Sequence, residues 1–408
     1  MVSLSYKDQS LKATIPLPSS KSESNRALII QALSQGKVEL DNLSSARDTQ
    51  TMIRLLSSEG HVLDVIDAGT TMRFLTAYFS AVSRDQILTG TPRMCKRPIG
   101  ILVEALRELG AEVEYWKQEG FPPLHIISKG SHMEGGEISM QGNVSSQYIT
   151  ALLMIGPTLK GGLRINLEGE ISSRPYIEMT RGLMAHFGVE SRWEDQSIIV
   201  EEQAYQKNNY TIESDWSAAS YWYAMVAIAE DAEVNLLGLR KDSMQGDRGI
   251  VELMKKFGVG SRFNKEGVTL TKIKPQAGKG LLEIDFSDMP DMAQTVAVIS
   301  AAKGIPVRMT GLHTLRIKET DRIDAICNEL AKFGVEVQVD GNICTIDGTV
   351  GKSSSVIKTY DDHRMAMAFA PLLFTQNSLM IDDPEVVQKS YPEFWQHLKL
   401  AGVKVDEY

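Results

Sequence analysis

The segment PSSKSESNRALIIQAL, residues 18–33, carries Lys21 and Ser22 within a capping signature, Ser20 followed by Glu23, and Arg26 just after it. Cations at that place oppose the positive end of the helix dipole and cost stability unless an anion offsets them. DAGTTMRF brings Gly69 and a hydroxyl ahead of Arg73, and GNVSSQYI brings Ser145, Ser146 and Gln147. Hydroxyls, backbone N–H groups and cations at helix N-termini are the chemistry of phosphate and carboxylate binding. A single such cluster is most simply a cap; three at corresponding places point to an anion-binding surface. The second half offers different groups. MPDMAQT holds Asp291, HTLRIKETDRI holds Lys318, Glu319 and Arg322, YDDHRMAM holds His363 and Arg364, and QKSYP holds Lys389. Carboxylates among cations suit proton transfer beside a bound polyanion. Alone, the alternating charges from Arg316 to Arg322 suit a solvated helix face. A His-Arg pair entering an apolar helix, by contrast, needs a partner.

The elements that must position these groups recur through the chain. LLSSEGHVL, LRELGAEVE, LMAHFGVES, LMKKFGVGS, LAKFGVEVQV and LKLAGVKVD each read as the end of an amphipathic helix, a glycine suited to the left-handed C′ position, then a strand. The glycines are Gly60, Gly110, Gly188, Gly258, Gly334 and Gly402, and their spacings of 50, 78, 70, 76 and 68 residues are too long for a solenoid. Ahead of each lies a strand-like run, and ahead of that a helix apolar on nearly every side, such as YITALLMIG or YWYAMVAIA. A helix apolar all round must be buried. The expectation is an α/β chain of two similar domains, each with three buried helices inside and sheets outside; the alternative is an ordinary doubly wound α/β fold. The boundary is expected in the polar stretch from Glu201 to Asn209.

Composition bounds the function. The chain has 408 residues, 43% hydrophobic and 23% charged, which is ample for two or three domains. A net charge of −9 disfavours general nucleic-acid binding. Cys95, Cys327 and Cys344 are far apart, with no metal-ligand spacing, so neither a disulfide framework nor a structural metal is expected. No apolar run reaches transmembrane length, and the first twenty residues lack a signal-peptide pattern. The expected location is therefore the cytoplasm, with no membrane partner.

SSKSESNRAL, DAGTTMR, RPIGILVEALRELGA, GNVSSQYITALL, SRPYI, SMQGD, MPDMAQT, RIKETDRI and YDDHRMAMAFA together, in this order, resemble the EPSP synthase group of the enolpyruvyl transferase family over nearly the whole chain. The resemblance implies two inside-out α/β domains of three βαβαββ units each, with buried parallel helices and outer sheets. Residues 14–213 would form the shikimate 3-phosphate side, and residues 1–13 with 214–408 the phosphoenolpyruvate side. It further implies transfer of the enolpyruvyl group of phosphoenolpyruvate to the 5-hydroxyl of shikimate 3-phosphate by addition and elimination, in a monomer, without metal or organic cofactor. Carried onto this sequence, shikimate 3-phosphate would lie on Lys21, Ser22, Arg26, Ser145, Ser146, Gln147, Ser173, Tyr176, Asp291, Thr314 and Lys318. Phosphoenolpyruvate would be held by Lys21, Gly69, Arg97, Gln147, Arg322, Arg364 and Lys389. Asp291 would take the 5-hydroxyl proton, Glu319 would exchange protons with the methylene carbon, and Lys21 would share the proton traffic.

Three positions depart from the family pattern: Asp67 stands where asparagine is usual, Phe74 where proline is, and Thr314 where asparagine is. A carboxylate at Asp67 would repel phosphoenolpyruvate or hold a raised pKa. The segment GHVLDVIDAG is also short. The sister UDP-N-acetylglucosamine enolpyruvyl transferase, which uses a loop cysteine, is the nearest rival, and Cys95 lies two residues before Arg97. SSQ at 145–147 and SKSESNR favour the shikimate group. A non-catalytic phosphometabolite-binding relative is the third reading, motivated by Asp67 alone.

Overall fold

Helices buried on nearly every side form the two cores. The computed structural model describes residues 1–8, 10–128, 133–278 and 280–408. The chain divides into two compact units, Ser20–Ile212, and Met1–Ser19 together with Glu213–Tyr408.

In the N-terminal unit, helices α1 (Lys21–Leu33), α3 (Gly69–Ala81) and α5 (Ser146–Ile155) pack on one another. Burial runs without a break from Glu23 to Ile30 in α1 and from Tyr148 to Ile155 in α5. The amphipathic helices α2 (Arg47–Leu56), α4 (Gly100–Glu108) and α6 (Arg174–His186) each touch two of the buried three. In the C-terminal unit the buried helices are α7 (Trp216–Ile228), α9 (Ala293–Lys303) and α11 (His363–Phe369), accompanied by α8 (Ile250–Lys255), α10 (Arg322–Ala331) and α12 (Phe394–Leu400).

Helices α3, α5, α9 and α11 each cross between two strands paired in parallel in one sheet, and α4, α6, α8, α10 and α12 each lead on to a strand paired antiparallel with its neighbour. Five four-stranded sheets among the described residues each have one parallel and two antiparallel pairings. In one of them Val62–Asp64 pairs in parallel with Gln86–Thr89, which pairs antiparallel with Leu124–Ile127, which pairs with Glu112–Tyr115. The strand Val2–Ser5 closes the last sheet of the C-terminal unit between Leu379–Ile381 and Lys404–Glu407.

The inside-out α/β expectation holds, with one difference. The first repeat has only a two-stranded parallel sheet, Asn209–Thr211 with Glu39–Asp41, and no hairpin. Helix α2 ends at Leu56, and the strand after it, Val62–Asp64, opens the next repeat instead of closing its own. Gly60 accordingly is not a left-handed C′ glycine, whereas Gly110, Gly188, Gly258, Gly334 and Gly402 take φ values of +94°, +79°, +88°, +78° and +85°. The missing hairpin accounts for the shortness of the segment before Asp67. No described helix is long and apolar enough to cross a membrane.

Candidate active site

In the N-terminal unit, side chains at the helix starts reach one another, which puts those starts at one end of the unit. Ser20 caps α1, accepting from the backbone N of Glu23 at 3.3 Å. Lys21, the first residue of α1, donates to Asp48 at the start of α2 at 3.0 Å. Gln147 at the start of α5 donates to Oγ1 of Thr70 at the start of α3, 3.1 Å away. Arg26 donates from Nε to Thr180 of α6 at 2.7 Å and from Nη1 to the Ser22 carbonyl at 3.0 Å. Its guanidinium lies 5.4 Å from the ring of Phe74 and 6.0 Å from that of Tyr176. Burial brings the Arg26 pKa down to about 10, partly offset by Tyr176 and Glu23, so the residue stays a cation at neutral pH.

The arginines flanking Gly69 differ in what they do. Arg73 donates to the carbonyls of Gly69, at 3.2 Å, and Pro98, at 2.6 Å, and so ties the start of α3 to the loop before α4. Arg97 is buried against Gly69, so close that a Cβ there would lie 2.6 Å from its Nη1. No side chain caps α3, whose N-cap is Ala68 rather than a hydroxyl residue. Ser145 caps α5 and Ser146 is its first residue. Ser173 caps α6 from a left-handed conformation, φ +57°, without using its hydroxyl for the cap. Strain of that kind in a non-glycine residue needs a compensating interaction.

The C-terminal unit gathers its charges more tightly. Arg322, at the first position of α10 with a side chain 2% exposed, touches three carboxylates. It donates to Asp362 at 2.7 Å, to Asp291 at 3.0 Å and to Glu319 at 3.0 Å. Arg364, near the start of α11, donates to Asp291 at 2.7 Å and to the Tyr221 hydroxyl at 3.2 Å. Lys318 approaches Asp291 at 3.8 Å, and Lys389 approaches Glu319 at 3.9 Å. Burial would raise the Asp291 pKa, but Arg364, Lys318 and Arg322 outweigh it and hold the carboxyl well below its usual range. Asp247 has no such surplus. Burial, with the nearby Asp291 charge, pushes its pKa up to about 6, although Ser217 donates to it and Arg364 is near.

The run from Arg316 to Arg322 thus splits in two. Arg316 faces outward to Asp321 and Asp324, and Asp321 caps α10. Lys318, Glu319 and Arg322 turn inward. Thr314 is buried in the short helical turn His313–Ile317 that leads to them.

The family model for EPSP synthase (3-phosphoshikimate 1-carboxyvinyltransferase) matches residues 6–61 and 54–398. A relative of that name from Bacteroides fragilis (strain YCH46) is 51% identical, with 97% of each chain covered. One from Sulfurovum sp. (strain NBC37-1) is 36% identical, covering 95% of this chain and 96% of the relative. The chain belongs to the EPSP synthase family. This is a family of transferases of the shikimate pathway. An EPSP synthase structure from Acinetobacter baumannii has the same fold, with a TM-score of 0.76 at 22% identity and coverage of 100% and 99% of the two chains.

Against the family pattern, Asp67 has a counter-charge the sequence did not reveal: Arg47 of α2 lies 3.0 Å away. Phe74 replaces proline with a ring that supports Arg26. The Cys95 thiol faces the Gly90 carbonyl at 3.5 Å. Sequence reasoning gave no role to Asp48, Thr180, Ser217, Asp247 or Asp362. Asp247 and Asp362 stood inside quoted motifs, SMQGD and YDDHR, but only the tertiary structure supplies their partners.

Proposed function

We propose that this EPSP synthase family member transfers the enolpyruvyl group of phosphoenolpyruvate to the 5-hydroxyl of shikimate 3-phosphate, releasing phosphate. The observation that carries the reading is Asp291, a carboxylate kept ionised among three cations and therefore available as a proton acceptor. In the proposed addition, the 5-hydroxyl oxygen bonds to C2 of phosphoenolpyruvate and loses its proton to Asp291. The methylene carbon gains a proton from the Glu319 side, giving a tetrahedral adduct. In the elimination, the bond from C2 to the phosphate oxygen breaks, and the methyl group returns a proton to regenerate the enol ether.

The remaining roles follow from charge and position. Arg322, Arg364 and Lys389 carry the cations for phosphoenolpyruvate, with Lys21, Gly69, Arg97 and Gln147 as further contacts. Lys21 also carries part of the proton traffic. Ser22, Ser145, Ser146 and Ser173 offer hydroxyls, and Lys21 a cation, to the phosphate of shikimate 3-phosphate. Arg26 and Tyr176 are assigned to its ring and carboxylate, and Thr314 and Lys318 are further proposed contacts of the same substrate. A strongly acidic Asp291 is a weak base. When an incoming trianion takes up Arg322 and Arg364, it withdraws counter-charge from Asp291 and raises its basicity. The protein is proposed to work as a cytoplasmic monomer.

Phosphate release tests the reading. Release is expected with phosphoenolpyruvate plus shikimate 3-phosphate, not with phosphoenolpyruvate plus UDP-N-acetylglucosamine, and is expected to be lost in Asp291→Asn. No release from either pair, in a protein that still binds shikimate 3-phosphate, overturns it.

A further inference from the structure

A second constellation lies on the sheet of Val62–Asp64, Gln86–Thr89, Leu124–Ile127 and Glu112–Tyr115, and the proposed reaction does not use it. His61 immediately precedes the first strand, Asp85 immediately precedes the second, and His125 lies in the third. Oδ1 of Asp85 faces both imidazoles, 3.4 Å from Nδ1 of His61 and 3.1 Å from Nε2 of His125. The two rings are edge-to-face, their centroids 5.7 Å apart. One candidate ligand atom from each residue lies within 4.8 Å of the other two.

We propose that His61, Asp85 and His125 form a binding site for a late first-row divalent cation of the zinc class, with solvent completing the coordination. A tetrahedral cation with bonds of about 2.0–2.1 Å holds its donor atoms about 3.4 Å apart. The two separations from Asp85 fall close to that spacing, and the third lies within 4.8 Å. Two imidazoles and one carboxylate suit zinc and its neighbours, whereas calcium and magnesium prefer oxygen alone. The donors are also held from behind. Oδ2 of Asp85 accepts from the backbone N of Ser128 at 3.3 Å, which turns Oδ1 toward the rings. The carbonyl of His61 accepts from the backbone N of Ile87 at 2.9 Å. Side-chain exposures of 54% for His61, 43% for Asp85 and 24% for His125 leave an entry path.

The topology sets the role. Helix α3 joins the first two strands, so Gly69 stands at its N-terminus and Asp85 follows its C-terminus. At 1.5 Å per residue α3 is about 20 Å long, which puts the cluster at the end opposite the Gly69 surface. The bound cation is a structural clip across three strands, not a participant in phosphate chemistry.

Isothermal titration of the full chain with zinc chloride, together with melting with and without zinc, tests the site. One zinc per chain is expected, with a zinc-dependent rise in Tm. Affinity is expected to fall at least about tenfold in His61→Gln and in His125→Gln, while metal-free turnover of both variants stays at the parent level. Absence of zinc uptake overturns the proposal, as does uptake whose affinity and Tm shift survive in both variants.

Discussion

Replacing Asp362 by asparagine removes one charge from a fully buried position and keeps its shape. The carboxylate accepts from Nε of Arg322 at 2.7 Å, from Nη2 of Arg322 at 3.3 Å and from the backbone N of Arg364 at 2.9 Å. Asparagine retains an oxygen for the backbone bond and is an equally good N-cap, so the start of α11 survives. What is lost is the counter-charge of a guanidinium that is only 2% exposed. Breaking one partner of a buried ion pair costs about 3–5 kcal/mol. Arg322 keeps Asp291 and Glu319, so the lower end applies, about 3 kcal/mol. At about 2–4 °C per kcal/mol for a unit of this size, Tm should fall by about 6–12 °C. Arg322 should also draw closer to Asp291 and Glu319, so the KM for phosphoenolpyruvate should rise. Asp362→Ala removes the cap as well and should cost about 1 kcal/mol more. Thermal melts and steady-state kinetics read both effects. An asparagine variant with Tm within about 2 °C of the parent and an unchanged KM refutes the reasoning, because no buried charge would then have lost a needed partner.

In Gly69→Ala the new Cβ would lie 2.6 Å from Nη1 and 2.8 Å from Cζ of Arg97, the far end of a flexible side chain. The fold should tolerate it, with Tm nearly unchanged, while displacement of Arg97 raises the KM for phosphoenolpyruvate about tenfold or more; an unchanged KM would dismiss Arg97 as a contact. Asp247 has its pKa raised by burial from 3.8 to about 6, so the folded state holds a proton that the unfolded chain releases. Its stabilising effect is therefore lost as pH rises from about 4 through 6, and Asp247→Asn should gain up to roughly 3 kcal/mol at pH 7.5 but little at pH 4. Melts of both proteins at the two pH values check this, and an equal difference at both contradicts it. The Arg47–Asp67 pair is partly exposed, at 42% and 26%, and contributes at most about 1 kcal/mol to stability. Arg47→Ala should nonetheless raise the KM for phosphoenolpyruvate by exposing the Asp67 charge, and Asp67→Asn in the same chain should reverse it. Strict additivity of the two effects would remove Arg47 as the compensating charge.

What was legible in the sequence was what is local. Ser20 and Glu23 announce the α1 cap because the bond spans three residues, and five C′ glycines announce helix ends because left-handed φ is a property of one residue. Buried helices were legible because an all-apolar face has nowhere else to go. The same logic misread Gly60, since LLSSEGHVL has the repeat's composition but lacks the hairpin that would follow. The bond of Arg73 to the Pro98 carbonyl, 25 residues away in the chain, has no local mark either. Asp362 and Asp247 carried no local mark of importance, because their weight comes from partners 40 and 30 residues distant.

The C-terminal cluster sets four cations, Lys318, Arg322, Arg364 and Lys389, against four acids, Asp247, Asp291, Glu319 and Asp362. Near balance has a consequence for the proposed reaction. Unpaired buried cations would be costly while no substrate is bound, and the acids remove that cost. A polyanion must then displace carboxylates from guanidinium forks that already serve them. Asp362 is fully buried and also caps α11, so it is the acid least able to yield. Asp291 is held only by side chains that a phosphate or carboxylate would also seek, so it yields first. The group that loses its counter-charges on binding is thus the one proposed to receive the hydroxyl proton, and binding and base strength become one event. An arrangement with Asp291 capping a helix and Asp362 free would bind the same anion without readying a base.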